Sequence, residues 1–143
     1  MNAGERLRPL QATASGGELS RFMLGLKSVF TRLTGIDTII FDEIDTGVSG
    51  SVAFSIGKKM RQLAQQTQVF CVTHLASVAA CAQQHYVVEK HQESGHTETT
   101  IRLLSEEERI QEMAVISQGS ASDSALRASR ELYELACKET GNN

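Results

Sequence analysis

The stretch Ile36-Asp37-Thr38-Ile39-Ile40-Phe41 is short, mostly apolar and rich in β-branched residues, and it stops abruptly at Asp42-Glu43. Such a run predicts a core strand. A second run of the same kind, Val69-Phe70-Cys71-Val72-Thr73, stops at His74. Between them Ala53, Ile56, Met60, Leu63 and Ala64 recur at the spacing of one helical face. Strand, helix and strand within about forty residues predict a crossover that returns to a parallel pair. In that arrangement both strands end on the same edge, which is where chemistry is expected.

Upstream, Leu19, Phe22, Met23, Leu26 and Phe30 lie at offsets that predict a helix with a buried face after Gly17. Downstream, Leu75 to Ala82 reads as a short helix. Tyr86-Val87-Val88-Glu89 and Thr99 to Leu104 flank a polar turn at Ser94-Gly95-His96 and predict an antiparallel hairpin. Ser105-Glu106-Glu107-Glu108 has the form of a capping box ahead of Ile110, Met113 and Ala114. A last helix is expected from Ser122 or Asp123, with Ala125, Ala128, Leu132, Leu135 and Ala136 on its face. The sum is an α/β chain: parallel strands with flanking helices, then a C-terminal β-hairpin and helices.

The 143 residues, 41% hydrophobic and 22% charged, suffice for one domain with a core. Residues 1–12 are polar and structurally uncommitted, and flexibility is expected there. No apolar run reaches the ~18 to 20 residues of a membrane span, and the N-terminus lacks the pattern of an export signal. A soluble, cytoplasmic chain without membrane partners is expected. Cys71, Cys81 and Cys137 form no close pair, which suits a reducing compartment. A net charge of −3 gives no bulk attraction to DNA, so any nucleic-acid contact needs a local patch.

Three clusters carry candidate chemistry. Ser15-Gly16-Gly17-Glu18 opens a helix. One reading is a cap, with Ser15 accepting from the first turn and Glu18 reaching back. The other follows from the two glycines, which are unfavourable within a helix but allow a phosphate to approach bare N–H groups. Asp42-Glu43, at the end of a buried strand, repel each other and lose solvation. Either they are partly solvated loop acids, or Mg²⁺ relieves the repulsion on Asp42 while Glu43 orients a water. His74 is either a packing residue or, at the same edge, a donor to a phosphate or a guide for the attacking water. His85, His91 and His96 lack a zinc-ligand pattern and read as surface residues. Lys58, Lys59 and Arg61 read as the solvent side of a helix, and Glu106-Glu107-Glu108 as a solvated helix start.

Taken in order, Ser15-Gly16-Gly17-Glu18, a strand into Asp42-Glu43 and a strand into His74 resemble the signature loop, Walker B strand and switch histidine of ABC-type ATPases. Twenty-five positions separate Gly17 from Asp42 and thirty-one separate Glu43 from His74, as in that family. Leu7-Arg8-Pro9-Leu10, Ala14 to Arg21 and Phe41 to Gly50 narrow the resemblance to the SMC-like proteins of bacterial DNA repair. It runs through most of the chain and implies that residues 1–143 are the C-terminal lobe of a split ATPase head. It implies ATP and Mg²⁺ as cofactors. Ser15, Gly16 and Gly17 would contact the γ-phosphate on a second head, with Glu18 supporting the loop. Asp42 would help to hold Mg²⁺, Glu43 would orient the water, and His74 would sense the γ-phosphate. Implied partners are a P-loop-bearing N-terminal lobe of the same protein, a second head joined through ATP, and DNA; the implied setting is recombinational repair of double-strand breaks at the nucleoid.

The chain departs from the ABC pattern in three places. Ala14 replaces the usual leucine of the signature, and Ser49 stands where the loop after Walker B usually ends in aspartate; Asp45 is not assumed to replace it. No GxxxxGK[ST] occurs in the sequence, so the isolated chain is expected not to hydrolyse ATP and reads as a piece of a longer protein. Two other readings compete. One is a non-catalytic interaction module whose glycines and acids serve caps and turns. The other starts from Asp45-Thr46-Gly47, the triplet of aspartic proteases, and needs a mainly β chain.

Overall fold

The computed structural model describes residues 18, 21–27, 35–42, 44–48, 50–93 and 96–141. Residues 21–27 are helical (α1). There follow β1 (Thr38–Phe41), α2 (Gly50–Leu63), β2 (Gln68–Cys71), α3 (Ala76–Ala79), β3 (Tyr86–Glu93), β4 (His96–Leu103), α4 (Glu106–Gln118) and α5 (Asp123–Thr140). The fold is α/β, with a parallel pair, an antiparallel hairpin and helices. Among the described residues, no helix is long and apolar enough to cross a membrane.

The crossover expected from the sequence is present. β1 and β2 pair in parallel, from Thr38 opposite Gln68 to Phe41 opposite Cys71. The register is set from below by Gln68, whose N–H donates to the Asp37 carbonyl at 2.8 Å, and by Thr67, whose hydroxyl donates to the Ile36 carbonyl at 2.6 Å. Ile39 and Phe41 pack with Ala53, Ile56, Met60 and Leu63 of α2, and with Leu24, Ile44 and Val78. That is one face of the strand pair. On the other face Ile40, Phe70 and Val72 are exposed, so β1 is not buried on both sides as its sequence suggests.

A second core joins α3, α4 and α5 through Ala76, Ala79, Ala80, Cys81, Ile110, Met113 and Ala136. Small residues let these helices approach closely. A Cβ on Gly57 of α2 would lie 2.9 Å from Sγ of Cys81 and 3.3 Å from the Val78 Cα. Arg109 is buried beside this core and donates to the carbonyls of Ala82 at 2.8 Å, Gln83 at 3.3 Å and Ala79 at 3.5 Å. Its guanidinium lies 4.9 Å from the centre of the Tyr133 ring. It thereby satisfies the carbonyls left open where α3 ends.

Several expectations need correction. In α1 the buried residue is Leu24, while Phe22, Met23 and Leu26 of the expected face are exposed; Leu19 and Phe30 lie outside the described residues. In α5 the buried positions are Ala125, Ser129 and Ala136, with Ala128 and Leu135 exposed. The buried face is shifted toward Ser129, which is 3% exposed. The helix after Leu75 is one turn only, and the hairpin strands run four residues further toward their turn on the first arm and three on the second. His85 is half-buried rather than on the surface; burial and the nearby Arg109 hold its imidazole below the usual value.

Candidate functional site

The site is built where β1 and β2 end. The Val72 N–H donates to the Phe41 carbonyl at 2.9 Å, which extends the ladder one step and carries Asp42 and Thr73-His74 to the same edge. Asp42 and His74 are both exposed there. Thus two of the sequence-predicted residues lie beyond the same edge of the strand pair. Glu18 lies in helical, exposed chain. Ser15, Gly16, Gly17 and Glu43, with Ser49, lie outside the described residues.

Behind this edge sits a residue that sequence reasoning set aside. Asp45 is 1% exposed. It opens a turn closed by a bond from the Val48 N–H to its own carbonyl at 3.2 Å, and the positive φ of 70° at Gly47 is what such a turn asks of its third position. Its side chain reaches the loop after β2, where Oδ2 accepts from the Thr73 hydroxyl and, at 3.2 Å, from the His74 backbone N–H. The Thr73 Oγ1 in turn accepts from the Leu75 N–H at 3.1 Å. Oδ1 of Asp45 lies 3.5 Å from Nδ1 of His74, an ion-pair distance but not a hydrogen bond. No local signal in the sequence points to this residue, because its partners Thr73 and His74 lie twenty-eight and twenty-nine positions away.

Negative charge is concentrated at this edge. Cys71, the last residue of β2, has its thiol pushed up to about 12, first by burial and then by the charges of Asp45 and Asp42. It is a free thiol, as are Cys137 and Cys81, the last raised to about 11 chiefly by burial. Among the described residues no group of three or more His, Cys, Asp or Glu side chains is gathered to hold a metal. An exposed carboxylate in a negative field is nevertheless the donor that Mg²⁺ takes when phosphate oxygens and waters complete its shell. Asp42 fits that role in kind.

A parallel strand pair with an acid and a histidine at its carboxyl edge defines an α/β protein of the class that places ligands at strand ends. No protein-family model matches the chain. Curated relatives do: DNA repair protein RecN of Halalkalibacterium halodurans is 42% identical over 94% of this chain, that of Deinococcus radiodurans 46% over 92%, and that of Bacillus subtilis 43% over 98%. The chain belongs with the RecN proteins and corresponds to about a quarter of their length, 24%, 23% and 25% respectively, consistent with a C-terminal segment. A structure from a study of ATP-driven dimerization and DNA-stimulated activation of SMC ATPases overlaps 70% of this chain and 60% of its own, with a TM-score of 0.48 and 17% identity.

Proposed function

We propose that the chain is the part of an ATP-hydrolysing RecN head that supplies signature loop, Walker B acids and switch histidine, in a protein that repairs double-strand breaks in DNA. One observation supports this reading: the register of β1 on β2 and the bond from Val72 to Phe41 leave Asp42 and the Thr73-His74 segment beyond the same edge of the strand pair. Asp42 would hold Mg²⁺ together with phosphate oxygens. The metal, when bound, draws charge from the terminal phosphate and makes its transfer to water easier. Glu43, next in sequence, would orient the water, and His74 would meet the γ-phosphate. Ser15, Gly16 and Gly17, followed by Glu18, would supply the phosphate contact to a second head. Both the P-loop lobe and the second head are partners of this reading, as is DNA for the complete protein, at the nucleoid in the cytoplasm.

The open face of Ile40, Phe70 and Val72 supports the first of these partners, because parallel strands are ordinarily covered on both sides. It also favours a second reading, in which the chain is an interaction module and nothing more. Mixing the chain with the P-loop-bearing lobe separates the two. ATP-dependent association supports the head, and association indifferent to ATP supports the module. The aspartic-protease reading finds no support in this fold, where α2, α4 and α5 are long helices and Asp45 is bonded within its own chain.

The decisive test uses the complete protein. Glu43→Gln is expected to keep ATP binding and to slow hydrolysis about a hundredfold or more, as loss of a water-orienting group does. Turnover equal to wild type removes Glu43 from the role. The 143-residue chain alone is expected to release no phosphate, and metal-dependent release above a Glu43→Gln control would refute the need for a P-loop lobe.

A further inference from the structure

His74 is held at two points by a single side chain. Its backbone N–H donates to Oδ2 of Asp45 at 3.2 Å, and its ring Nδ1 stands 3.5 Å from Oδ1. The carboxylate is 1% exposed and the imidazole 72% exposed, so a buried acid grips a side chain that otherwise projects into solvent. Oδ2 is occupied twice, by Thr73 and by the His74 backbone, whereas Oδ1 accepts no hydrogen bond among the described residues. A buried carboxylate oxygen without a donor is costly, and the donor that can reach it is Nδ1–H. The gap exceeds a hydrogen bond by a few tenths of an ångström, and such bonds at catalytic edges often close only once substrate is present.

We infer that Asp45 is a positioning residue: it fixes the His74 ring with Nδ1–H on Oδ1 and leaves Nε2 as the one ring nitrogen open to the nucleotide. This rests on the reading of His74 given above. The physical reason is the two-sidedness of imidazole. In the neutral ring one nitrogen carries hydrogen and the other accepts, and a fixed acceptor beside one of them selects the tautomer. A carboxylate on Nδ1 also steadies the ring when Nε2 carries a proton, so the same grip serves Nε2 as acceptor from water or as donor to phosphate. Thr73 supports the grip by holding the other carboxylate oxygen, and Gly47 permits the turn that delivers the acid.

The tautomer is measurable without ATP. In the chain labelled with ¹⁵N-histidine and held on the alkaline side of imidazole titration, long-range proton–nitrogen correlation distinguishes Nδ1–H from Nε2–H rings, and a His74→Gln spectrum assigns the signal. We expect His74 to be mainly Nδ1–H. Asp45→Asn is expected to abolish that preference, while Thr73→Val, which removes a hydroxyl but keeps the carboxylate, retains it. A majority of Nε2–H in the wild type, or no change in Asp45→Asn, overturns the inference. Should Asp45→Asn fail to fold, the wild-type spectrum decides alone. In the complete protein, Asp45→Asn is expected to lower kcat about tenfold with KM within about twofold, and to add no further loss in a His74→Gln background. Losses that multiply would mean that Asp45 acts apart from His74 and would also overturn it. If His74→Gln hydrolyses ATP like wild type, the nucleotide-site reading falls, and the tautomer alone judges Asp45.

Discussion

The helices α4 and α5 close their own ends and bury their own face, whereas the β1–β2 pair closes only one side. In α4 the Ser105 side chain accepts from the Glu108 N–H, Glu108 reaches back to the Ser105 N–H, and Gly119 ends the helix in the left-handed conformation; α5 has Ser122 and Gly141 in the same places. Met113, Ala114, Ala125 and Ala136 are fully buried between them. In the strand pair, Ile39 and Phe41 are buried while Ile40 is 65% and Val72 62% exposed. The helical end is complete in itself. The strand pair leaves its outer face open, and the candidate site lies at its edge.

The largest effect should fall within a single strand. Ile39→Ala is expected to lower the unfolding free energy of the chain by about 3 kcal/mol, through lost burial and an unfilled cavity. Ile40→Thr, one residue away, is expected to change it by less than about 0.5 kcal/mol, because a β-branched polar residue suits an exposed strand position. Urea unfolding of both variants measures the difference. If Ile40→Thr costs as much as Ile39→Ala, the outer face is already covered, and concentration-dependent unfolding would identify a second copy as the cover.

This contrast also marks what was legible in the sequence. The strand runs, the α2 face and the two serine caps were readable, because each is written in local periodicity or in residues three apart. The open outer face was not, since Ile40 and Phe70 are as apolar as their buried neighbours, and the run itself does not say which side of the strand pair the helices cover. Asp45 was not legible either. An acid is read as solvated unless its partners are known, and Thr73 and His74 lie twenty-eight and twenty-nine positions away. The faces of α1 and α5 were misjudged for a related reason. Leu135 outweighs Ser129 in hydrophobicity and Phe22 is about as apolar as Leu24, yet Leu24 and Ser129 are the buried pair. Of the site, Asp42 and His74 were placed by strand endings alone; the glycine turn at Ser15 and the acid Glu43 remain where the motif resemblance put them.

A smaller effect tests how tightly the helical end is closed. Gly57→Ala places a methyl group 2.9 Å from Sγ and 3.0 Å from Cβ of Cys81, with the Val78 backbone behind. It is expected to cost about 1 to 2 kcal/mol, as overpacking does, despite the better helix propensity of alanine. Combining it with Cys81→Ala should return part of that loss, since the sulfur is the nearest obstacle. A stabilised Gly57→Ala would show that α2 and α3 can part, and the contrast between the closed and open ends would weaken. Thermal or urea unfolding of the single and double variants reads the outcome.

The smallest effect is a pH dependence at the start of α4. Glu108 is drawn down from 4.5 to about 2, first by the Ser105 backbone N–H, then by the Ser105 hydroxyl and by Arg102, whose Nη1 is 2.5 Å from Oε1. A carboxyl whose folded value is depressed supports folding above its ordinary value, and that support disappears as the folded carboxylate is protonated. The contribution should therefore be intact above about pH 4.5 and fade between there and about pH 2. Because the Glu108 side chain is 41% exposed, solvent screens it, and only the slope is informative. Glu108→Gln should flatten the dependence of stability on pH in that window by lowering stability at neutral pH, to the extent that screening leaves, toward its value at acid pH. Ser105→Ala should flatten it less and cost about 1 kcal/mol at neutral pH through the lost cap. If the slope survives in Glu108→Gln, the acid sensitivity belongs to other carboxyls and not to this cap.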